Sequence, residues 1–309
     1  MISVVIPLYN KEKLIGRTLE SVLAQSYSDF EVVVVDDGSS DGSAAVVESF
    51  ADPRIRLIRQ ANAGVSAARN RGIAESRGEF IALLDADDIW RENYLQTQFE
   101  LTQKYPQCDV FATDYCFCNS KGVEKATIIR KLPFDGEDGI LTNYFEVASC
   151  SHPPLWTSAV MVRKGAIESV GGFPIGIKSG EDLITWARLA VKFKIAYSHF
   201  IGAVFMENHS SNGESKPKQR FSEKDYVLEQ LTILKNSIQD PILKKDIHKY
   251  ILRWYKIQCV IMLEIKEQMR CFKYSFKAIR EGGRIQIFLP LIILSCLPHN
   301  LCLKIIKRE

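Results

Sequence analysis

The run FIALL at residues 80–84 leads directly into DADD at residues 85–88. A short apolar run of this length predicts a strand that is buried on both faces. Its carboxyl end would then carry three carboxylates at the edge where open α/β sheets bind their ligands. Because neighbouring carboxylates repel one another, a cation would stabilise them, and oxygen ligands suit Mg²⁺ or Mn²⁺. The alternative is a helix start, in which Asp88 caps a helix from Ile89 onward.

The composition is that of a soluble globular protein, with 309 residues and 25% charged side chains. A net charge of only +3 argues against a nucleic-acid partner. The eight cysteines show no repeated metal-ligand spacing, so we expect reduced thiols in a cytoplasmic protein. The chain opens on a strand-like sequence, MISVVI, rather than on a signal peptide. No stretch is long and apolar enough to predict a transmembrane helix.

Strands and helices alternate through the first half of the chain. The patterns predict strands at Ser3 to Pro7, Glu31 to Val35 and Arg54 to Arg59, in addition to the run at 80–84. Helices are predicted between them, at Lys11 to Ser26 with Asn10 as its cap, from about Ser43, and at Gly64 to Ser76. This alternation predicts an α/β fold with a mostly parallel sheet that is flanked by helices.

Small and acidic residues follow three of the predicted strands: PLYN at 7–10, DDGSSDG at 36–42 and DADD at 85–88. Neither the dinucleotide fingerprint G-x-G-x-x-G nor a P-loop is present. Asp37 could accept a hydrogen bond from a base and Tyr9 could stack on a ring. The combination favours a nucleotide whose diphosphate is held by a metal ion rather than by a glycine loop. For Asp36 to Ser39, ordinary turn chemistry is the alternative.

Further motifs continue this order: NAGVSAARNRGI at 62–73, TSAVMV at 157–162, GGF at 171–173 and GEDL at 180–183. Together with the strand-end motifs, they make the chain resemble the family 2 glycosyltransferases of the GT-A fold over roughly residues 1 to 212. The resemblance implies a Rossmann-like GT-A domain that transfers a sugar with inversion from a nucleotide-sugar, usually a UDP-sugar. It also implies Mn²⁺ or Mg²⁺ as a cofactor. The Q-x-x-R-W motif of processive synthases is absent, which favours transfer of a single sugar.

The resemblance assigns roles to individual positions. Pro7, Tyr9 and Asp37 would hold the nucleotide base and ribose, and Arg69 would lie near the base or the phosphates. Asp87 would bind the metal ion directly, with Asp85 as its helper. The substrate-binding candidates are, in full, Pro7, Tyr9, Asn10, Asp37, Asn62, Arg69, Asp85, Trp156 and Glu181.

Asp182 resembles the general base of the family. An acceptor hydroxyl must lose a proton as it attacks the anomeric carbon, and a carboxylate within hydrogen-bond reach accepts it. The alternative for Glu181 and Asp182 is that they are ordinary acids in the first turn of a helix.

Two further candidates depart from simple patterns. In the resemblance, His209 would complete the metal site. The sequence departs from the family here, because Phe205-Met206-Glu207 stands where the family often has an aromatic–arginine pair. The alternative is that His209 is an ordinary surface histidine. Trp156 could form a wall against a sugar ring, or it could be part of ordinary aromatic packing.

Residues 216–309 differ in character from the predicted catalytic domain at 1–215, which divides into a nucleotide-sugar half (1–115) and an acceptor half (116–215). They predict a helical C-terminal extension that ends in an apolar segment followed by lysine and arginine. An apolar segment beside basic residues is typical of an interfacial anchor. We therefore expect 284–309 to contact the inner face of the cytoplasmic membrane. The alternatives are a C-terminal core helix and a contact in a homodimer.

The expected role is transfer of one sugar to a glycan or lipid-linked acceptor in the synthesis of a surface polysaccharide. The alternative class is a sugar-nucleotide-binding subunit without turnover. The presence of both the D-x-D motif and the Glu181-Asp182 pair favours the enzyme. A nucleotidyltransferase would share the α/β plan, but its basic, glycine-rich nucleotide loop is not evident.

Overall fold

The computed structural model describes residues 1–177, 179–207 and 225–306. The chain divides into two compact units, Met1–Lys216 and Pro217–Glu309. The strands described in the first unit are β1 (Ile2–Leu8), β2 (Phe30–Asp36), β3 (Ile55–Arg59), β4 (Phe80–Leu83), β5 (Ile89–Trp90), β6 (Val110–Cys118), β7 (Glu124–Ala126), β8 (Asp138–Ile140), β9 (Val160–Arg163) and β10 (Ile195–Met206). The helices described there are α1 (Ile15–Leu23), α2 (Ser43–Glu48), α3 (Val65–Glu75), α4 (Tyr94–Lys104), α5 (Tyr144–Cys150), α6 (Lys164–Ser169) and α7 (Glu181–Lys192).

The described strands form one mixed sheet in the order β3-β2-β1-β4-β9-β6-β10-β5, with β7 on β6 and β8 on β10. Strands β1 to β4 are parallel to one another, and so are β6 and β10. Strand β9 lies antiparallel between β4 and β6. The predicted α/β fold, a mostly parallel sheet between helices, is therefore confirmed.

Strand β2 shows why the sheet is covered on both faces. Successive side chains of a strand point to opposite faces. Val32 and Val34 belong to the same core cluster as residues of α1, whereas Val33 and Val35 pack with Ala68 of α3. All seven residues of β2 are buried in consequence. The continuous run of valines thus reflects a helix on each side of the strand.

Two predicted helix caps are wrong. Helix α1 begins at Ile15, and Asn10 instead has a positive φ of 50° and accepts a hydrogen bond on Oδ1 from the Ser40 amide. Asp88 does not cap a helix either, because Ile89 enters strand β5 and α4 begins only at Tyr94. Each side chain bonds to a segment distant in sequence, which local patterns do not report.

The second unit is helical where it is described. Its helices are α8 (Tyr226–Ser237), α9 (Pro241–Glu264), α10 (Gln268–Arg280), α11 (Ile285–Ser295) and α12 (His299–Ile306). Asp225 caps α8 by accepting from the Leu228 amide at 2.9 Å, and its carboxylate also accepts from the Trp254 indole. Among the residues that the structure describes, we find no helix with the length and apolar character needed to cross a membrane.

Candidate active site

The carboxyl ends of three neighbouring parallel strands form the candidate site. Leu8 of β1 stands beside Asp36 of β2, and Val5 of β1 stands beside Leu83 of β4. The segments that follow these strands therefore leave the sheet at the same edge, which is where such sheets bind ligands. The sequence motifs at 7–10, 36–42 and 85–88 are brought together in this way.

The segments after β1 and β2 are bonded to each other. The Asn10 amide donates to Ser39 Oγ at 3.1 Å, and Asn10 Oδ1 accepts from the Ser40 amide at 2.8 Å. Pro7 remains within β1, and the ring of Tyr9 is 49% exposed at this edge. An exposed aromatic ring at this edge leaves a face on which a planar base could stack.

Asp37 is buried and holds the loop that precedes α3. Its Oδ1 accepts from the Ala63 amide at 2.9 Å and from Gln60 at 2.7 Å, and its Oδ2 accepts from the Gly64 amide at 2.8 Å. A carboxylate has about four lone-pair sites, so an oxygen of Asp37 retains capacity for a further donor. Asn62, another predicted substrate contact, lies exposed on the same loop.

Gly38 allows that loop to approach the end of β2. Its φ of +73° favours glycine, and a Cβ at this position would lie 2.9 Å from the Asn62 amide nitrogen. A side chain would therefore push the loop at 60–64 away from Asp37.

Arg69 of α3 joins two motifs that are far apart in sequence. Its guanidinium donates to Asp85 Oδ1 at 2.8 Å and to Glu181 Oε1 at 3.0 Å. The side chain of Arg69 is only 5% exposed and lies 5.0 Å from the ring centre of Phe173. Although burial disfavours its charge, Asp85 and Glu181 raise the pKa of Arg69 above its usual value. The planar fork of arginine suits a bridge between two carboxylates.

Asp182 follows Glu181 in the first turn of α7. Burial, and then repulsion from Glu181, raises the pKa of the Asp182 carboxyl to about 6, against the opposing effect of Arg69. A carboxylate with a pKa closer to neutrality accepts a proton more effectively than an ordinary one. The predicted base is thus held next to the bridge that reaches Asp85.

Asp87 lies against two cations from the segment after β1. Lys11 Nζ is 2.5 Å from Asp87 Oδ2, and Arg17 donates to the Asp87 backbone carbonyl at 3.0 Å. The Asp87 side chain is 14% exposed. The carboxylate is therefore fixed in position, and one of its oxygens faces a lysine ammonium.

Hydrogen bonds of Asp88 and Ser158 attach the acidic segment to the protein interior. Ser158 Oγ donates to Asp88 Oδ2 at 2.5 Å and accepts from the Asp85 amide at 3.1 Å. Asp88 is fully buried and also accepts from the Met206 amide at 3.2 Å. Burial, followed by the charges of Asp85 and Asp87, raises the pKa of Asp88 well above its usual value. Asp88 therefore serves as an internal acceptor rather than as a helix cap.

The chemistry of the donor set fits a small divalent cation. Within residues 1–177, 179–207 and 225–306, no three His, Cys, Asp or Glu side chains form a group that could hold a metal ion alone. Mg²⁺ is commonly bound by one or two carboxylates together with substrate phosphates. Asp85 and Asp87 provide two such carboxylates at one strand end, and each already attracts a positive group. The third predicted ligand, His209, lies outside the described residues.

Trp156 belongs to an aromatic cluster with residues of β6 and β10. Its ring stacks on Tyr115 at 5.1 Å and meets Phe205 edge-on at 5.2 Å, with Phe117 beside them. Trp156 is partly exposed, so it contributes to packing while one part of the ring still reaches solvent. Both interpretations made from the sequence thus remain compatible with its position.

Several residues that organise the site are absent from the sequence-based predictions. Lys11 stands immediately after the PLYN motif, and Arg17 lies on the first helix. Ser158 lies within TSAVMV, a motif whose presence in the family resemblance could have drawn attention to it. No local signal identifies Arg69 as a bridge to Glu181, because that contact exists only after α7 has packed near α3.

Comparison with known proteins gives a consistent result. The family model described as glycosyl transferase family 2 matches residues 3–168. Glycosyltransferase GlyG of Streptococcus pneumoniae is 38% identical over 125 residues, which are 40% of this chain and 42% of that protein. The minor teichoic acid biosynthesis protein GgaA of Bacillus subtilis is 28% identical over 283 residues, which are 86% of this chain and 59% of that protein. The chain thus spans less than two thirds of the length of these relatives.

Solved structures share the fold at low sequence identity. TarS 1-349 of S. aureus, in complex with UDP-GlcNAc, superposes with a TM-score of 0.71 at 18% identity, covering 93% of this chain and 82% of that one. The mannosyltransferase PcManGT from Pyrobaculum calidifontis, in complex with GDP-Man and Mn²⁺, gives a TM-score of 0.59 at 19% identity, covering 94% and 78%.

Proposed function

We propose, from the premise that this chain belongs to glycosyl transferase family 2, that it transfers a sugar from a nucleotide-sugar to an acceptor hydroxyl. The single observation that carries the proposal is the Arg69 bridge between Asp85 and Glu181. The bridge holds Asp85, which neighbours Asp87 at the strand ends, close to the first turn of α7. That turn carries a second pair of carboxylates, Glu181 and Asp182. One pair would bind the donor and the other would accept the acceptor's proton. Both tasks must be carried out around the same reacting carbon, so the two pairs have to lie close together.

The donor is a nucleoside diphosphate sugar, and a UDP-sugar is the first choice. Tyr9 would stack on the base, and a free lone pair of Asp37 would accept from it. Support for uridine comes from TarS, whose structure is in complex with UDP-GlcNAc, and PcManGT in complex with GDP-Man indicates that the fold also accepts guanosine. Arg69 is engaged by two carboxylates, so we assign it to positioning them rather than to the phosphates.

The transfer is a single displacement with inversion. Asp182 accepts the proton of the acceptor hydroxyl as its oxygen attacks the anomeric carbon, and the bond from that carbon to the diphosphate breaks. Burial and then Glu181 raise the pKa of Asp182 to about 6, which still leaves most of the carboxyl ionised at neutral pH. Asp85 and Asp87 would hold Mg²⁺ or Mn²⁺. When bound, the ion would neutralise the charge that develops on the leaving diphosphate.

The acceptor belongs to a surface polymer or a lipid-linked precursor of one. This assignment rests on GgaA, which is named as a minor teichoic acid biosynthesis protein. The aromatic cluster around Trp156 offers a partly exposed ring on which an acceptor sugar could stack.

A membrane surface is the partner proposed for the second unit. On α11, Ile285, Leu289 and Ile293 are 58%, 45% and 53% exposed and recur every fourth residue, which places them on one side of the helix. An apolar face in a segment whose sequence goes on to end in basic residues suits the interface of an anionic bilayer. A homodimer that covers the same face is the alternative.

Vesicle flotation tests the membrane proposal. The intact chain should float with vesicles that contain anionic lipid, and replacing Ile285, Leu289 and Ile293 together by serine should abolish flotation. The matched control is Ile242→Ser, because Ile242 is 72% exposed in the same unit. A chain that remains monomeric and ignores anionic vesicles would refute the proposal.

A donor screen tests the transferase proposal. Donor hydrolysis and transfer would be followed with Mn²⁺ across common UDP-, GDP- and dTDP-sugars. Asp87→Ala should abolish metal-dependent donor binding, whereas Asp182→Asn should bind donor without transferring sugar. Asp29→Asn is the control, since Asp29 is 64% exposed and its carbonyl bonds to Ile2 at the opposite end of β1. Full transfer by Asp182→Asn would remove Asp182 as the base, and binding without turnover of any donor would favour a non-catalytic subunit.

A further inference from the structure

Gln60 stands at the end of β3, the outermost of the four parallel strands that meet at the candidate site. Its backbone amide donates to the Asp36 carbonyl at 2.9 Å, and Asp36 pairs with Arg59, the last residue of β3. The sequence motifs mark the ends of β1, β2 and β4, whereas Gln60 comes from the strand end that no motif marks. Its side chain is partly exposed at this edge.

The side-chain amide of Gln60 is held in one orientation by Asp37. Gln60 Nε2 donates to Asp37 Oδ1 at 2.7 Å. The two oxygens of Asp37 also accept from the backbone amides of Ala63 and Gly64. Because the carboxylate acts only as an acceptor here, the nitrogen of the Gln60 amide, and not its oxygen, has to face it. The positions of the donor and the acceptor on this amide are therefore fixed.

Gln60 and Asp37 together present a donor next to an acceptor. An amide nitrogen carries two N–H groups, and the bond to Asp37 uses one of them. The other has no partner among the residues that the structure describes. Asp37 Oδ2 accepts from one amide and can accept again. Asp37 is only 3% exposed, so a ligand that reaches its carboxylate also meets the amide of Gln60.

The complement of such a pair is a ring N–H beside a carbonyl group. Uracil and thymine carry an N–H between two carbonyl groups, and guanine carries an N–H beside its carbonyl. Cytosine and adenine carry the reverse, a ring nitrogen without hydrogen beside an amino group. Because Asp37 prevents the Gln60 amide from turning over, the pair cannot adapt to the reversed order. A base of the second kind would set acceptor against acceptor and donor against donor.

We propose that Gln60 determines the specificity for the nucleotide base. Its second N–H donates to a carbonyl oxygen of the base, while Asp37 accepts from the ring N–H beside that carbonyl. The inference rests on the proposed function, which places the base at Asp37. It limits the donors to nucleotide-sugars of uracil, thymine or guanine and excludes those of cytosine and adenine.

A panel of nucleoside diphosphates tests the class of base. The intact protein would be titrated by calorimetry in MnCl₂ with UDP, dTDP, GDP, CDP and ADP. At least one of the first three should bind at least about tenfold more tightly than CDP and ADP, because a mismatched base leaves polar groups of the site unpaired. Equal or tighter binding of CDP or ADP would overturn the inference.

Thiocarbonyl analogues test the contact with Gln60 itself. The base that binds best is replaced by its 2-thio and 4-thio forms for uracil or thymine, or by its 6-thio form for guanine, since sulfur is a weak acceptor. Wild-type protein should bind one analogue about three- to tenfold more weakly than the parent nucleotide. Gln60→Met keeps the length of the side chain without its N–H groups, so it should bind the parent nucleotide and the analogues alike.

The matched control is Gln96→Met on α4. Gln96 is also partly exposed and donates to a carboxylate, Glu100 Oε1, at 2.8 Å, but it lies outside the site. This variant should discriminate among the nucleotides as wild type does. Circular dichroism establishes that each variant is folded.

The outcomes separate a contact with the base from a structural role of Gln60. If Gln60→Met weakens the parent nucleotide and its analogues by the same factor, Gln60 only holds Asp37 in place and the inference is refuted. Unchanged affinity for the parent nucleotide in Gln60→Met would refute it as well. Both results leave the proposed function standing, whereas failure of wild-type protein to bind any nucleoside diphosphate would refute the proposed function and the inference with it.

Discussion

Replacing Arg69 by methionine should destabilise the first unit far more than an ordinary surface arginine would. Arg69 is 5% exposed and pairs with Asp85, which is 29% exposed, and with Glu181, which is 12% exposed. Breaking a buried ion pair by removing one partner costs about 3–5 kcal/mol, because the remaining charge is left uncompensated. Asp85 retains contact with water, so we expect the lower part of this range, about 3 kcal/mol.

The matched control is Arg71→Met on the same helix. Arg71 is 55% exposed and pairs with Glu75 one turn later. Exposed pairs of this kind contribute about 0.3–0.5 kcal/mol. The two variants remove the same side-chain type from neighbouring positions, so their difference isolates the effect of burial and of two partners in place of one.

Urea unfolding followed by tryptophan fluorescence measures the effect. Trp90, Trp156 and Trp186 lie in the first unit, so the signal reports mainly on that unit. With a slope of about 2–3 kcal/mol per molar urea, a loss of 3 kcal/mol moves the midpoint by about 1–1.5 M. Adding Glu181→Gln to Arg69→Met should recover about 1 kcal/mol, because one uncompensated charge disappears. Equal midpoints for Arg69→Met and Arg71→Met, or no recovery in the double variant, would refute the reasoning.

Three further outcomes are expected. The transfer rate should fall as the pH drops through about 6, rather than near the ordinary aspartate value of 3.8. Burial and Glu181 raise the pKa of Asp182, and only the ionised carboxylate accepts a proton. A pH–rate profile without this acid limb would contradict the role of Asp182. Gly72→Ala should lower the free energy of unfolding by about 1–3 kcal/mol, because the new Cβ would lie 2.4 Å from the Val5 side chain. The control is Gly165→Ala, whose Cβ would have nothing within 4 Å and which should be neutral or mildly stabilising in a thermal melt. Ser158→Ala should cost about 1–3 kcal/mol in urea unfolding, because Oδ2 of the buried Asp88 loses the Ser158 hydroxyl as its donor. A loss as small as that of Ser49→Ala, on an exposed hydroxyl, would count against this role.

The local patterns of the chain predict its main strands and helices well. The runs at 80–84 and within β2 are continuous and apolar because helices cover both faces of the sheet. The sequence predicts a helix at Gly64 to Ser76, and α3 spans Val65–Glu75. These features depend on residues that are close in sequence, so period and composition are enough to locate them.

Contacts between distant segments could not be predicted in the same way. Strand β9 enters the sheet antiparallel between β4 and β6, although nothing in its four residues specifies either neighbour. Asp88 reads as a helix cap in isolation, yet it accepts from Ser158 and Met206 in the interior. Asn10 likewise bonds to Ser40 rather than to the helix that follows it.

By itself, the sequence determined the family, the order of the strands along the chain and the position of its acidic motifs at strand ends, because each depends on local periodicity and spacing. How those acids are paired depends on contacts that form only when the chain folds. Asp85 faces Arg69, Asp87 faces Lys11 and Asp88 faces Ser158, so three adjacent carboxyl groups have three different environments. A charge that folding buries is stabilised only by a partner in contact with it. Which segments are in contact depends on how the whole sheet and its helices pack.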